Sequence, residues 1–113
     1  MAVYVSNLVI NTGATFTQTF SLENISSNSA LDLSGFTAMS QMRKHAGSTG
    51  IAATFTASIQ NADNGQVQVG LSSVSTATLK PGRYVYDVIV SDSVGEVTRV
   101  VEGSVLVRQG VTR

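Results

Sequence analysis

His45 is the only side chain in this sequence with an ordinary pKa near neutrality, and so the only ready general acid or base. It stands in Arg43-Lys44-His45, at a predicted strand end before the small-residue stretch Ala46–Gly50. A catalytic role needs a nucleophile or a carboxylate beside it, and no motif around it supplies one. The residues read as a solvated strand end in a basic cluster. A single His with no Cys leaves no thiolate zinc site and no disulfide. The carboxylates Glu23, Asp32, Asp63, Asp87, Asp92, Glu96 and Glu102 are scattered along the chain. Asp63-Asn64-Gly65 looks like a fragment of a calcium loop, but the rest of the twelve-residue pattern is missing, so it reads as a hairpin turn. Asp32, before Phe36, could cap a turn. Asp87 and Arg99 fall on outward strand positions and suit a cross-strand ion pair, worth about 0–1 kcal/mol when exposed. No Gly pattern matches a phosphate loop. The inventory predicts no enzyme, no cofactor, no metal and no small-molecule substrate.

The elements that would position these groups are strands. The chain has 113 residues, enough for one domain, and only 12% are charged, about half the usual share. Seven basic and seven acidic residues cancel, which argues against a nucleic-acid partner. Fifteen Ser and twelve Thr supply the polarity, and sixteen Val supply much of the apolar content. Apolar residues recur with period two. Phe16, Phe20 and Leu22 share one face, with Thr15, Thr17, Thr19 and Ser21 on the other. Phe36, Ala38 and Met42 repeat the pattern, as do Ile51, Ala53, Phe55, Ala57 and Ile59. Asn64-Gly65 then turns the chain into Val67, Val69 and Leu71. Tyr84, Tyr86, Val88 and Val90 line the next strand, and a last strand runs from about Glu96 to Arg108. Val3–Ile10 reads as an edge strand. Seven strands with regular turn signals predict an all-β, antiparallel sandwich of immunoglobulin-like type occupying residues 1–113. The one helical hint is Val74–Leu79.

One local pattern is sharper than the others. In Leu79-Lys80-Pro81-Gly82-Arg83-Tyr84-Val85-Tyr86, a Tyr follows a Gly by two residues as a strand begins. Gly82 and Tyr84 have the spacing of the tyrosine corner of immunoglobulin-like domains, whose hydroxyl ties back to upstream backbone. The Asn24–Ala30 and Ala46–Gly50 segments, rich in Ser, Asn and Gly, read as contact-making loops. Asn24-Ile25-Ser26 fits a glycosylation acceptor, but such tripeptides arise by chance.

The order of these signals resembles a family of small proteins from tailed phages, common in marine cyanophages. The shared signals are Ala14–Phe20, Leu33–Ala38, Met42–His45, Asn64-Gly65, Leu79–Asp87 and Val101–Val107. The chain is also similar to the immunoglobulin-like N-terminal domain of phage baseplate upper proteins. The likeness spans about residues 12–110; each motif alone is weak, while the ordered set is more specific. It implies a virion structural protein without catalysis, docked on other virion proteins as a capsid decoration or a tail or baseplate module. Because the sequence ends with the domain, no trimeric stalk or receptor-binding head is expected, and direct host adhesion is not implied. The N-terminal MAVYVSNLVI has no basic n-region and an interrupted apolar stretch, so neither a signal peptide nor a membrane span is expected. Synthesis in the host cytoplasm and residence in the virion follow as expectations.

The competing reading is a binding module that recognises a host surface glycan or protein through its loops. Aromatic-rich loops would favour it, and the aromatics fall instead on predicted inward faces. Partner contacts are expected at the termini. Val3–Ile10 and Glu96–Arg108 carry few of the charges or prolines that usually blunt a free sheet edge. Residues 1–10, with Val3, Tyr4 and Val5, and the tail 109–113 are therefore the predicted contacts, and a homo-oligomer fits the same reasoning. Removing residues 1–10 is expected to leave a folded chain. Replacing Tyr84 by Phe should cost on the order of 1 kcal/mol in urea unfolding, through loss of a bond to a buried acceptor; an unchanged midpoint would refute the corner.

Overall fold

The computed structural model describes residues 4–24, 29–30, 33–61 and 65–111. Its strands are β1 (Tyr4–Val5), β2 (Leu8–Asn11), β3 (Phe16–Ser21), β4 (Glu23–Asn24), β5 (Ser29–Ala30), β6 (Thr37–Arg43), β7 (Ala53–Asn61), β8 (Gln66–Leu71), β9 (Gly82–Ser91) and β10 (Val97–Arg108). A single helical turn, α1 (Ser73–Ala77), precedes β9. The protein is all-β. Val and Thr dominate these strands because branched side chains restrict χ1 and suit a pleated surface.

Eight strands form one hydrogen-bonded path in the order β1-β10-β9-β6-β7-β8-β3, with β2 also on β10. The turning point is β7. Its first residues, Ala53–Phe55, pair with β6, and Thr56–Asn61 pair with β8. One strand therefore serves two neighbours in succession, and the sheet nearly closes around a single core. Phe55 sits at this point, 3% exposed. Its ring lies 5.9 Å from Phe16 of β3 and 6.2 Å from Tyr86 of β9, tilted in one case and edge-on in the other. Aromatic pairs favour such geometries, and here they join the two flanks of the sheet.

The period-two reading assigns most side chains to their observed faces. Phe20, Leu22, Met42, Val67, Val69, Leu71, Tyr84, Tyr86, Val88 and Val90 are buried, while Thr17, Thr19, Thr54, Thr56 and Ser58 are exposed. Ile51 departs from expectation. It is 48% exposed because β7 begins only at Ala53.

The N-terminal segment requires larger corrections. Residues 3–10 are not one edge strand: β1 and β2 are separate, and both run parallel to β10. The sheet is therefore mixed rather than wholly antiparallel. β10 is flanked by β9 on one side and, over Val101–Arg108, by β1 and β2 on the other, so this part of the expected Glu96–Arg108 edge is covered. Leu8 and Ile10 are 4% and 0% exposed within the chain's own core. Residues 1–10 are consequently not a detachable arm; their removal would open the core. The 24–30 segment was expected to be a loop, yet β4 and β5 pair antiparallel. Val3, the glycosylation tripeptide beyond Asn24, Asp32, Asp63-Asn64 and the last two tail residues lie outside the described residues.

Between β1 and β2 the parallel pairing with β10 is interrupted at Ser6–Asn7 and resumes in the same register. Ser6 N–H donates to the Glu102 carbonyl at 2.9 Å, and Asn7 Oδ1 accepts from Ser104 N–H at 3.2 Å and Ser104 Oγ at 3.1 Å. Beside this interruption lies Gly103, where a Cβ would overlap the Ser6 carbonyl. The close backbone approach leaves room for hydrogen only. Gly103→Ala should lower the urea midpoint by a shift equivalent to roughly 1–3 kcal/mol, measured by circular dichroism; wild-type stability would disprove this account of the close approach.

Candidate functional site

The outer face of β6, β9 and β10 carries the only ionic cluster among the described residues. Its rows follow from register: Gln41, Asp87 and Glu102 lie side by side, as do Met39, Ile89 and Arg99. A bulge between Arg99 and Val101 makes this possible. On an unbroken strand, residues 99 and 102 would face opposite sides. The extra residue turns both Val100 and Val101 inward and returns Glu102 to the outer face. Arg99 then reaches both carboxylates, with Nε 3.2 Å from Asp87 Oδ2 and Nη1 3.9 Å from Glu102 Oε2. The Asp87–Arg99 pairing was legible from alternation; Glu102 was not, because a bulge leaves no period-two signal.

Arg43, at the end of β6, is also engaged. Nη1 donates to the carbonyls of Ser48 and Thr49, both at 3.1 Å, and Nη2 donates to Gln41 Oε1 at 3.1 Å. The guanidinium thereby latches the Ala46–Gly50 segment onto the sheet. His45 is exposed in that turn, and no described carboxylate bonds to it. Lys44 lies over the Tyr84 ring, its Nζ 4.8 Å from the centroid. Arg43 is thus held by acceptors and Lys44 by a ring. Among the described residues no cluster of His or carboxylates could hold a metal ion, and no helix is long and apolar enough to cross a membrane.

The same face forms an open hollow of about 700 Å³, bordered by Val5, Arg43, Ile89, Arg99 and Glu102. Val5 is 75% exposed, Met39 55% and Val97 57%. An apolar margin around a small paired-charge centre can hold a protein surface by shape and by hydrogen bonds. It contains no nucleophile–base pair. Of the predicted contact residues, Val5 lies on this hollow, Tyr4 is placed through its backbone pairing with Val101, and Val3 falls outside the described residues. The tail is tied inward, since Gly110 N–H donates to Thr12 Oγ1 at 2.8 Å.

Two tyrosines brace the site from within. Gly82 starts β9 at φ +148°, a backbone conformation rare for other residues. Two residues on, the buried Tyr84 donates from its hydroxyl to the Lys80 carbonyl at 2.7 Å. Tyr86, opposite Gly103 of β10, extends past it to donate to the Ser6 carbonyl at 2.6 Å. Burial pushes its hydroxyl pKa up to about 12. Sequence reasoning placed Tyr86 inward but named no partner for it, because Ser6 is eighty residues away. It also missed Thr76, fully buried on α1, whose Oγ1 accepts from Gly13 N–H at 3.1 Å and donates to the Ala14 carbonyl at 2.8 Å. The local signal is weak: Ser72 caps the turn by accepting from Ser75 N–H at 3.2 Å, which marks α1 but not what it anchors.

No protein-family description matches the chain, and no curated protein does. Among solved structures it is similar to the SrpA adhesin of Streptococcus sanguinis, in its R347E mutant form. That likeness has a TM-score of 0.51 and 13% identity, and covers 96% of this chain and 56% of the adhesin's. The chain thus spans little more than half the length of the adhesin chain. The likeness concerns the fold alone.

Tyr86 makes stability depend on alkaline pH. The folded pKa lies near 12 and the unfolded one near 10, so the folded state keeps its proton longer. That contribution is complete below pH 10 and declines as pH rises toward 12, at a limiting slope of about 1.4 kcal/mol per unit. Tyr86→Phe should remove this component of the slope while lowering stability at pH 7 by about 1–2 kcal/mol. Urea melts of both proteins between pH 8 and 12 check it; parallel pH profiles would rule out the assignment.

Proposed function

We propose that this chain is a non-enzymatic immunoglobulin-like module of a tailed-phage particle, docking on other virion proteins. The immunoglobulin-like part of the reading draws support from topology. β2 runs parallel to β10 at the margin of an otherwise antiparallel β10–β9–β6 group. β7 passes from that group to the β8–β3 pair. At the start of β9, the Tyr84 hydroxyl returns to backbone four residues upstream, the geometry a tyrosine corner requires. The same Leu79–Asp87 segment is one of the ordered signals on which the phage resemblance rests.

The observation that carries the docking role is the outer face of β6, β9 and β10. Its charges sum to zero, Arg43 and Arg99 against Asp87 and Glu102, and Arg99 pairs with both carboxylates, while exposed Val5, Met39 and Val97 surround them. Such a surface suits a protein partner, since little unpaired charge must be desolvated. Arg43, Asp87, Asp92 and Arg99 are engaged in holding backbone and sheet, which supports a structural role over a chemical one.

The test is mass spectrometry of purified particles made from a genome encoding this chain, alongside a Met39→Glu, Val97→Glu variant. The wild-type chain should appear in particles at a fixed ratio to the major structural proteins. The folded variant should be at least tenfold depleted. A wild-type chain absent from particles would overturn the virion reading, and full incorporation of the variant would overturn the docking face.

A further inference from the structure

The second flank of the sheet, β7–β8–β3, ends in an edge to which no described strand pairs. The orientation of its backbone groups follows from the ladder. Phe20 is opposite Val67 in β8, and one step further Leu22 N–H donates to the Gly65 carbonyl at 2.9 Å. The even-numbered residues of β3 therefore bond toward β8, and the odd-numbered Thr17, Thr19 and Ser21 direct their N–H and C=O groups away from the sheet. Among the described residues only the Gln18 side chain reaches this row, donating from Nε2 to the Thr19 carbonyl at 3.3 Å.

None of the usual protections is present. Phe16–Ser21 holds no charge, no Pro and no Gly. The outer face behind it is equally neutral, with Thr17 and Thr19 continuing through Gly70 and Gln68 of β8 to Thr56 and Ser58 of β7. On the inner face, Phe16 and Gln18 are only half-buried, so the core itself is incompletely covered at this edge.

The strand is also complementary to itself. In an antiparallel pairing about Gln18, Thr17 of one copy faces Thr19 of the other, and both are odd residues with outward-directed backbone groups. Phe16 then faces Phe20 on the inner side, so both cores lie on the same side of one continuous sheet. The two Thr17–Thr19 pairs supply about four backbone hydrogen bonds and two favourable cross-strand side-chain contacts. No like charges meet, and the chain's net charge of zero adds no general repulsion. We propose that the β3 edge pairs about a two-fold axis with the β3 edge of a second copy of this chain. This surface is separate from the β6–β9–β10 face, and its test needs only the purified protein.

Sedimentation velocity over a concentration series reads the outcome. The wild-type chain should form a dimer. Thr17→Lys with Thr19→Lys, and separately Thr17→Glu with Thr19→Glu, should each be monomeric, because every 17–19 pair then joins like charges. Mixing these two variants should restore a dimer, with each Lys opposite a Glu. Thr56→Lys with Ser58→Lys lies on the same outer face but away from the edge, and should remain dimeric. Circular dichroism at the same concentrations establishes that each variant is folded. A monomeric wild-type chain at several hundred micromolar would overturn the proposal, as would a dimeric Lys variant, or a Lys–Glu mixture that stays monomeric. Should both edge variants fail to fold, peptide competition replaces them: an excess of a synthetic Ala14–Leu22 peptide should dissociate the wild-type dimer, and no effect would overturn the proposal.

Discussion

The structure depends on the way the N-terminal segment lies along the last strand. Its parallel pairing with β10 is interrupted at Ser6–Asn7, beside Gly103, and the Tyr86 hydroxyl donates to the Ser6 carbonyl at 2.6 Å. The interruption divides the segment into β1 and β2 while keeping both on the same partner strand in one register. Leu8 and Ile10 can then close the core beside Val105 and Val107. A side chain at 103 would force the two backbones apart, and a lost hydroxyl at 86 would leave a buried carbonyl without its donor. The segment that sequence reasoning treated as a contact arm is therefore part of the frame.

From that frame the two outer faces acquire different characters. One flank carries Asp87, Arg99 and Glu102, brought together by the bulge after Arg99. The other is built from Thr, Ser, Gln and Gly, with no charge along its β3, β7 and β8 rows. A mixed-charge face selects a partner by electrostatic pattern. A neutral face with a bare edge associates through backbone hydrogen bonding, which is indifferent to side-chain charge but demanding in register.

Polar side chains here mostly serve backbone groups. Thr76 joins α1 to the turn before β3, Tyr84 ties the start of β9 to Lys80, and Ser40 Oγ donates to the Asp87 carbonyl at 2.6 Å. Asp92 Oδ1 accepts from Val94 and Glu96 N–H groups and shapes the β9–β10 turn. Among the described residues no buried side-chain polar atom lacks a partner.

The sequence by itself determined which residues would face inward, because alternation along a strand is a local property of the backbone. Phe20, Phe55, Val67, Val69, Tyr86 and Val88 were all legible from it, as were the Gly82-x-Tyr84 spacing and the outward Asp87 and Arg99. Tertiary structure decided which strands became neighbours. That β1 and β2 run parallel to β10, that β7 serves two partners, and that β3 has an edge to which no described strand pairs are long-range outcomes with no local periodicity. The same reason hid Glu102 behind a bulge, left Ile51 outside the core, and kept Tyr86 without a named partner until Ser6 was folded against it.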